Sequence, residues 1–256
     1  MFVEAGGYLL NTVVMGDGPR TLVSHGGWAG SWELWQEPMM LMQKHWRCIS
    51  YDHRGTGVST APAASIGPDA LVEDLFTVLD HYTVDTCVLA GESLGALTCV
   101  QAVLDAPDRF SGLVLVDGVT AAPDFGEQTE IRADFDRYVD IFVAACIVEP
   151  DSDHIAAWGR QVLRRSDPES AARLYETQSL ITPDLSAVQV PTLVIHGESD
   201  RIVPLAAARH AAAALPDGEL VVLPGAGHVP TMTRPGAVVA AIDDWARRKV
   251  PANPTS

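Results

Sequence analysis

Short apolar segments recur along the chain and alternate with helical patterns. The first two, Phe2–Ala5 and Tyr8–Val14, flank Gly6-Gly7 and predict a β-hairpin. Helical patterns such as Asp69–His81 lie between most of the later segments, each of which ends in a polar or glycine-rich loop. Those segments are Thr21–Ser24, Cys48–Tyr51, Cys87–Ala90, Leu113–Val116, Thr192–His196 and Leu220–Leu223. Because strands that alternate with helices form parallel sheets, the pattern predicts an α/β fold: a mostly parallel twisted sheet with helices on both faces.

The interval from 123 to 183 breaks this alternation, because it contains no strand-like run. Three of its stretches, Glu130–Ala145, His154–Arg165 and Glu169–Leu180, have apolar residues at helical spacing. We therefore predict a core domain formed by 1–122 and 184–250, a helical lid at 123–183 and a flexible tail at 251–256. Aromatic residues of the lid could pack it onto the core or line a substrate pocket; they include Phe125, Phe135, Tyr138, Phe142, Trp158 and Tyr175.

Length and charge narrow the class of protein. A chain of 256 residues fits one large α/β domain better than two small ones. The formal net charge is −16, from 33 acidic and 17 basic side chains. Such an acidic surface argues against nucleic acid and anionic membranes as partners.

Cysteine spacing and the N-terminal sequence bear on the cellular compartment. The cysteines form no C-x-x-C pair and no metal-ligand spacing, a pattern that suits a reducing compartment; they are Cys48, Cys87, Cys99 and Cys146. The N-terminus lacks the basic and apolar regions of a secretory signal, and no apolar run is long enough to cross a bilayer. We expect a cytoplasmic protein.

A serine between two glycines follows one predicted strand. Gly91-Glu-Ser-Leu-Gly95 lies between the strand Cys87–Ala90 and the helical pattern Leu94–Leu104. A sharp strand-to-helix turn leaves no room for side chains at the flanking positions and exposes the hydroxyl at the positive end of a helix. The motif therefore predicts that Ser93 is a nucleophile.

A serine hydroxyl needs a base, because it is a weak nucleophile at neutral pH. Eight histidines are available. His228 follows the strand Leu220–Leu223 in a loop of small residues that leaves its imidazole free to project, so we predict it as the base. His53 and His196 also lie near the ends of predicted strands and stay open as alternatives.

The base needs a carboxylate that fixes its tautomer and stabilises the imidazolium. Asp200 lies on the loop after the strand Thr192–His196 and is our preferred candidate. Asp117, at the end of the strand Leu113–Val116, is the rival, and Glu198 is a weaker one. All three lie between Ser93 and His228, so chain order does not separate them.

A tetrahedral intermediate also needs hydrogen-bond donors for its oxyanion. The backbone N–H of Leu94, directly after the serine, is the first candidate. The second is the N–H of Gly27 in His25-Gly-Gly-Trp-Ala-Gly30, with Trp28 as the fallback. The Trp28 ring could wall the acyl site or pack beneath the lid.

These motifs together resemble the α/β-hydrolase fold superfamily, and most closely its small single-lid esterases and lactonases. The residues that carry the resemblance are HGGW (25–28), YDHRGTGVS (51–59), GESLG (91–95), HGESDRIVP (196–204) and GAGH (225–228). The resemblance implies an α/β-hydrolase fold and a Ser93–His228–Asp200 triad with an oxyanion hole from Gly27 and Leu94. It also implies that Arg54 braces a loop.

The expected activity is cleavage of a small-molecule carboxylic ester or lactone through an acyl-enzyme. A serine at the turn argues against the dehalogenase and epoxide hydrolase branches, which use aspartate there. No metal or organic cofactor is implied.

The same triad could hydrolyse a carbon–carbon bond or act as a perhydrolase. A ligand-binding receptor and an interaction protein with a vestigial site are the alternatives from other classes. Arg164 and Arg165 could meet a substrate carboxylate, but they also suit the solvated end of a lid helix.

Overall fold

The computed structural model of the protein describes residues 1–118, 120 and 127–250. Its strands are β1 (Phe2–Ala5), β2 (Tyr8–Met15), β3 (Arg20–His25), β4 (Trp46–Tyr51), β5 (Cys87–Glu92), β6 (Phe110–Val116), β7 (Thr192–Gly197) and β8 (Gly218–Leu223). They form one sheet in the order β1-β2-β4-β3-β5-β6-β7-β8. The β1–β2 and β2–β4 pairings are antiparallel and the other five are parallel. The predicted mostly parallel sheet is confirmed.

Helices cover both faces of this sheet, as the sequence predicts. They are α1 (Gln36–Met42), α2 (Pro68–His81), α3 (Gly95–Asp105), α4 (Gln128–Ala133), α5 (Phe135–Cys146), α6 (Asp153–Leu163), α7 (Pro168–Ser179), α8 (Leu205–Ala214), α9 (Pro230–Thr233) and α10 (Pro235–Lys249). Short 3-10 turns occupy Trp32–Trp35, Ala63–Ser65, Pro107–Arg109 and Leu185–Ala187.

The twofold period of the strands sorts their side chains between two apolar layers. Along β6, Leu113 and Leu115 enter the layer that contains residues of α2, α3 and α8. Val114 and Val116 enter the opposite layer, together with residues of α1 and α10. A strand that is buried on both faces reads as a continuous apolar run, which is why β6 was recognisable in the sequence.

The segment 127–181, which follows β6 and contains α4 to α7, is termed the helical segment. The prediction of one continuous amphipathic helix at Glu130–Ala145 is wrong, because the structure has two helices there, α4 and α5, which separate at Asp134. The Asp134 carboxylate accepts a hydrogen bond of 3.1 Å from the N–H of Arg137 and so caps α5. The predicted domain boundary at 122–123, the tail at 251–256 and Phe125 lie outside the described residues.

A third apolar cluster joins the helical segment to the core. Trp28, Leu94 and Leu97 of the core pack there against side chains such as Val139 and Leu174. This contact places α5 and α7 over the carboxyl ends of β3 and β5. All four cysteines are buried and unpaired. Among the described helices, none combines the length and apolar character needed to cross a membrane.

Candidate active site

The turn between β5 and α3 holds Ser93 in a conformation that non-glycine residues rarely adopt. Its φ is +52°, a strained value that costs about 1–3 kcal/mol and persists only where the surroundings enforce it. The Ser93 N–H donates to the carbonyl of Val116 on β6 at 2.9 Å. The turn is thus tied to the neighbouring strand, and the hydroxyl lies at the carboxyl edge of the sheet.

The two glycines around this serine occupy positions where a side chain would collide. A Cβ on Gly91 would lie 2.8 Å from Sγ of Cys99, and one on Gly95 would lie 2.3 Å from the carbonyl oxygen of Gly26. Neither Gly91 nor Gly95 is among the residues with positive φ. The requirement is therefore space: α3 and the loop after β3 approach the turn too closely for a methyl group.

The structure brings Ser93, His228 and Asp200 together. Nε2 of His228 lies 2.8 Å from Oγ of Ser93, and Nδ1 lies 2.8 Å from Oδ2 of Asp200. The imidazole is 1% exposed. With a proton on Nδ1 that is donated to Asp200, Nε2 is left as the acceptor for the serine hydroxyl. This is the arrangement that a general base requires.

The Asp200 carboxylate is held by three donors. Besides His228, the N–H groups of Ile202 and Val203 donate to its Oδ1 at 2.7 and 2.9 Å. Burial by itself would raise the pKa of Asp200, but the hydrogen bond and positive charge of His228, with these backbone donors, hold the pKa below its ordinary value. Asp200 is therefore ionised at neutral pH.

The two rival acids lie elsewhere. Asp117 is fully buried, accepts the N–H of Gly197 at 2.8 Å and faces Nδ1 of His196 at 3.3 Å. Burial and the nearby Asp200 charge raise the pKa of Asp117 well above its usual range. Glu198 is exposed and accepts the N–H of Gly225.

The other two candidate histidines support backbone instead. His53 shares a hydrogen bond of 2.8 Å with the carbonyl of Trp28 and stacks on His25 with ring centroids 4.6 Å apart. His196 donates to the carbonyl of Val203 at 2.9 Å. Burial lowers the pKa of each of these three imidazoles, to about 4 for His25, so they are neutral at neutral pH. They brace the loops after β3 and β7.

The glycine loop after β3 lies directly against the serine. A Cβ on Gly27 would come within 2.9 Å of the Ser93 Cβ. Within the described part of the chain, no acceptor takes the N–H of Gly27, Trp28 or Leu94. All three predicted oxyanion donors are therefore free to receive a ligand atom, and Gly27 and Leu94 are the two that belong to backbone next to Ser93.

Trp28 combines the two roles that the sequence left open. Its Nε1–H donates to the carbonyl of Ala171 on α7 at 2.9 Å, which fastens the ring beneath the helical segment. The same ring lines the space beside Ser93, with the Phe142 ring 5.1 Å away. Phe142 in turn lies 6.4 Å from the His228 ring. Phe135 also packs edge-on against Trp28, with ring centroids 6.2 Å apart.

The remaining charged candidates are ion-paired. Arg54 makes two hydrogen bonds to the buried Asp74 and so braces its loop against α2. Arg164 binds Asp136 and Asp140, and Arg165 binds Glu33. Trp158, which is 39% exposed, lies under the Arg165 guanidinium on the outer face of α6.

Two cavities meet at Ser93. The inner cavity is mostly apolar, and its space together with its open mouth is about 500 Å³. Its lining includes Gly27, Phe142, Cys146, Leu163, His228 and Met232. The front cavity is more polar, and its space together with its open mouth is about 730 Å³. Its lining includes Leu94, Glu127, Tyr138, Arg201, Ile202 and Val203. Trp28, Ser93 and Phe142 line both.

Sequence reasoning missed the residues that hold the His228 loop. Glu149, between α5 and α6, accepts the N–H of Gly227 at 2.9 Å and the Thr233 hydroxyl at 2.6 Å. The next N–H, that of His228, donates to the carbonyl of Cys146 at 2.8 Å. No sequence motif identifies Glu149, because Gly227 and Thr233 are distant in sequence and Gly227 contributes only a backbone group.

Glu92, the residue before the serine, is a second buried carboxyl that the sequence did not single out. Its Oε1 accepts the Thr231 hydroxyl at 2.6 Å. Burial raises the pKa of Glu92 to about 8, although this hydrogen bond opposes the shift. Glu92 is therefore mostly uncharged at neutral pH and adds little negative charge next to Ser93.

One cluster has metal-ligand chemistry. Ligand atoms of Asp117, His196 and Asp200 lie within 4.8 Å of one another. Backbone donors and His228 already engage the Asp200 oxygens, and Nε2 of His196 is used by Val203. We assign these groups to the hydrogen-bond network behind His228.

Comparison with protein families yields one extensive match. A family model described as the alpha/beta hydrolase fold matches residues 20–187, which is more than half of the chain. A model described as serine aminopeptidase S33 matches the shorter range 156–232.

Individual relatives extend this similarity over most of the chain. The pimeloyl-[acyl-carrier protein] methyl ester esterase of Edwardsiella ictaluri is 30% identical, with 90% of this chain and 95% of that protein covered. A proposed carbamate hydrolase of Pseudomonas syringae pv. syringae is 28% identical, covering 84% of this chain and 89% of its own. A solved thermophilic esterase from Thermogutta terrifontis has a TM-score of 0.88 and 25% identity, with 98% and 99% of the two chains covered.

The contacts of Glu149 predict a catalytic defect without a binding defect. Glu149→Ala leaves the N–H of Gly227 without an acceptor and frees the His228 loop. We expect kcat for hydrolysis to fall about tenfold or more, with KM nearly unchanged, because a small misplacement of His228, the predicted base, slows the chemical step. Thr233→Val, which keeps the Gly227 contact, is the control and should lower Tm but not kcat. Equal kcat in Glu149→Ala and the unmodified enzyme would refute this role.

The raised pKa of Glu92 predicts a pH-dependent contribution to stability. The folded protein keeps a proton up to about pH 8, whereas the unfolded chain releases it near the ordinary value of 4.5. This contribution to the free energy of unfolding is complete below about pH 4.5 and is lost as the pH rises to about 8. In urea unfolding, Glu92→Gln should therefore lose less free energy of unfolding than the unmodified protein between about pH 5 and pH 8. Parallel losses in the two proteins would contradict the assignment.

Proposed function

Because the chain belongs to the alpha/beta hydrolase fold family and is a hydrolase, we propose that it cleaves small-molecule carboxylic esters through an acyl-enzyme formed on Ser93. The observation that carries the proposal is the hydrogen-bonded series from Ser93 through His228 to Asp200, with both distances at 2.8 Å. Supporting it is the strained serine turn, which presents the hydroxyl where the two cavities meet.

The first half of the reaction transfers the acyl group to the enzyme. Oγ of Ser93 attacks the ester carbonyl carbon as its proton passes to Nε2 of His228. The carbonyl oxygen becomes an oxyanion, which accepts hydrogen bonds from the N–H groups of Gly27 and Leu94. The tetrahedral intermediate collapses by breaking the bond between the carbonyl carbon and the alcohol oxygen. Nε2 returns its proton to that oxygen, and the alcohol leaves.

The second half releases the acid. A water molecule attacks the acyl carbon and gives a proton to Nε2 of His228. Collapse of the second intermediate breaks the bond to Oγ of Ser93, which regains its proton from Nε2. Asp200 stays ionised throughout and stabilises the imidazolium in each half, which the low pKa of its carboxyl supports.

The helical segment is assigned as the lid of this site. Trp28 and Phe142 bring core and helical segment to the same opening, and Ser93 itself is 8% exposed. A largely covered nucleophile favours small substrates and exclusion of bulk water. Lactones present the same carbonyl chemistry and belong to the proposed substrate class. Carbamates form the second candidate class, since one relative bears the name of a carbamate hydrolase.

Substitution of the nucleophile tests the proposal directly. We expect Ser93→Ala to lower kcat/KM for nitrophenyl esters by roughly three orders of magnitude or more. The unmodified protein should gain one adduct mass on the peptide that contains Ser93 after exposure to an organophosphonate. Ser199→Ala, which alters an exposed serine on the Asp200 loop, is the matched control. If the Ser93→Ala protein is still active and still labelled, Ser93 is not the nucleophile. A separate assay with esters, lactones and carbamates would rank the substrate classes.

The choice between the two aspartates has its own test. Asp200→Asn removes the charge that holds the His228 tautomer, and we expect kcat to fall by roughly two to four orders of magnitude. Asp117→Asn replaces a buried carboxyl that accepts the N–H of Gly197, whereas His228 is bound to Asp200, so kcat should change only a few-fold. The reverse ranking of the two variants would transfer the role to Asp117.

A further inference from the structure

The two cavities at Ser93 differ in the catalytic group that they reach. His228 lines the inner cavity and is absent from the described lining of the front cavity. The alcohol oxygen must receive a proton from Nε2 of His228, so it has to lie on the His228 side of the carbonyl carbon. The alcohol therefore belongs in the inner cavity, and the acyl group extends into the front cavity. This assignment rests on the proposed ester hydrolysis at Ser93.

The front cavity contains a cation without a partner. Arg201 lines it and is exposed. Across the described ranges, no hydrogen bond or ion pair engages the Arg201 guanidinium. Arg132, Arg160 and Arg164 of the helical segment are each paired with a carboxylate. Arg137 is also unpaired among the described residues but lines a different cavity.

The backbone around Arg201 is firmly placed. The Asp200 carboxylate accepts the N–H groups of Ile202 and Val203. These two hydrogen bonds span Arg201 and hold the backbone of the loop in place. The carboxylate of Glu127 in the same cavity accepts the Tyr138 hydroxyl. The loop thus fixes where the Arg201 side chain begins, while its guanidinium has no partner among the described residues. An arginine at the edge of an acyl site is suited to a carboxylate, which it can bind through two parallel hydrogen bonds.

We propose that the front cavity binds acyl groups whose far end carries a carboxylate, held by Arg201. The substrate class is then the half-esters of dicarboxylic acids, with the esterified end at Ser93 and the alcohol in the apolar inner cavity. The formal charge of −16 makes the surroundings unfavourable for anions at long range. Recognition must therefore come from this local contact and not from attraction over the whole surface.

Matched pairs of methyl esters test the assignment. The pairs are the monomethyl esters of succinic, glutaric and adipic acids and the methyl esters of the monocarboxylic acids of equal chain length. Methanol release reports turnover for both members of each pair. For the half-ester with the lowest KM, we expect Arg201→Ala to raise KM about tenfold or more, since a charge-assisted contact is lost. KM for the neutral ester should stay within about twofold, and kcat should change little for both.

Two controls make the result specific. Arg209→Ala removes another exposed arginine, on α8, and should leave both esters unaffected. The preference of the unmodified enzyme for the half-ester should shrink as salt is raised, because exposed charges are screened. Equal effects of Arg201→Ala on both esters, or no effect, would overturn the Arg201 assignment while the ester-hydrolase proposal stands. Failure of the unmodified enzyme to hydrolyse any ester would overturn both.

Discussion

The close approach of two backbone segments at Ser93 is the constraint on which the rest of the site depends. The loop after β3 and the turn after β5 come so near that side chains are excluded at Gly27 and Gly95. The same approach holds Ser93 at a φ of +52°, and the hydrogen bond to Val116 secures it. Parallel pairing of β3, β5 and β6 creates this proximity, because it brings the carboxyl ends of neighbouring strands to one edge.

Burial then divides the ionisable groups around this edge into two kinds. His25, His53 and Glu92 have pKa values shifted by burial toward the uncharged form. Asp200 is also buried, yet it keeps a low pKa because donors surround its oxygens. The negative charge is thus concentrated on the one carboxylate that faces His228, and the neighbouring groups serve as neutral supports.

The helical segment contributes to the site in two physically separate ways. Through Glu149 and the carbonyl of Cys146 it binds two consecutive N–H groups of the His228 loop. Through Phe142 it divides the space at Ser93 into an apolar inner cavity and a more polar front cavity. The position of His228 and the shape of the pocket are therefore set by the same helix, α5, and its C-terminal loop.

Much of this organisation was predictable from local pattern. The eight strands were found within a few residues of their bounds, because buried parallel strands are short apolar runs between polar loops. Ser93, His228 and Asp200 were chosen because each follows such a strand. The division of α4 from α5 was not foreseen, since amphipathic spacing continues across Asp134 and only its capping hydrogen bond marks the break.

The sequence by itself determined the order of the strands along the chain, most of the helices and the glycine-flanked serine turn, because these depend on periodicity and on glycine at defined positions. Only the tertiary structure decided that Asp117 faces His196, that Glu149 holds the His228 loop and that Arg201, unpaired among the described residues, lines a cavity with Ser93. Those features arise from contacts between residues far apart in the chain, and such contacts leave no periodic or compositional trace in the sequence.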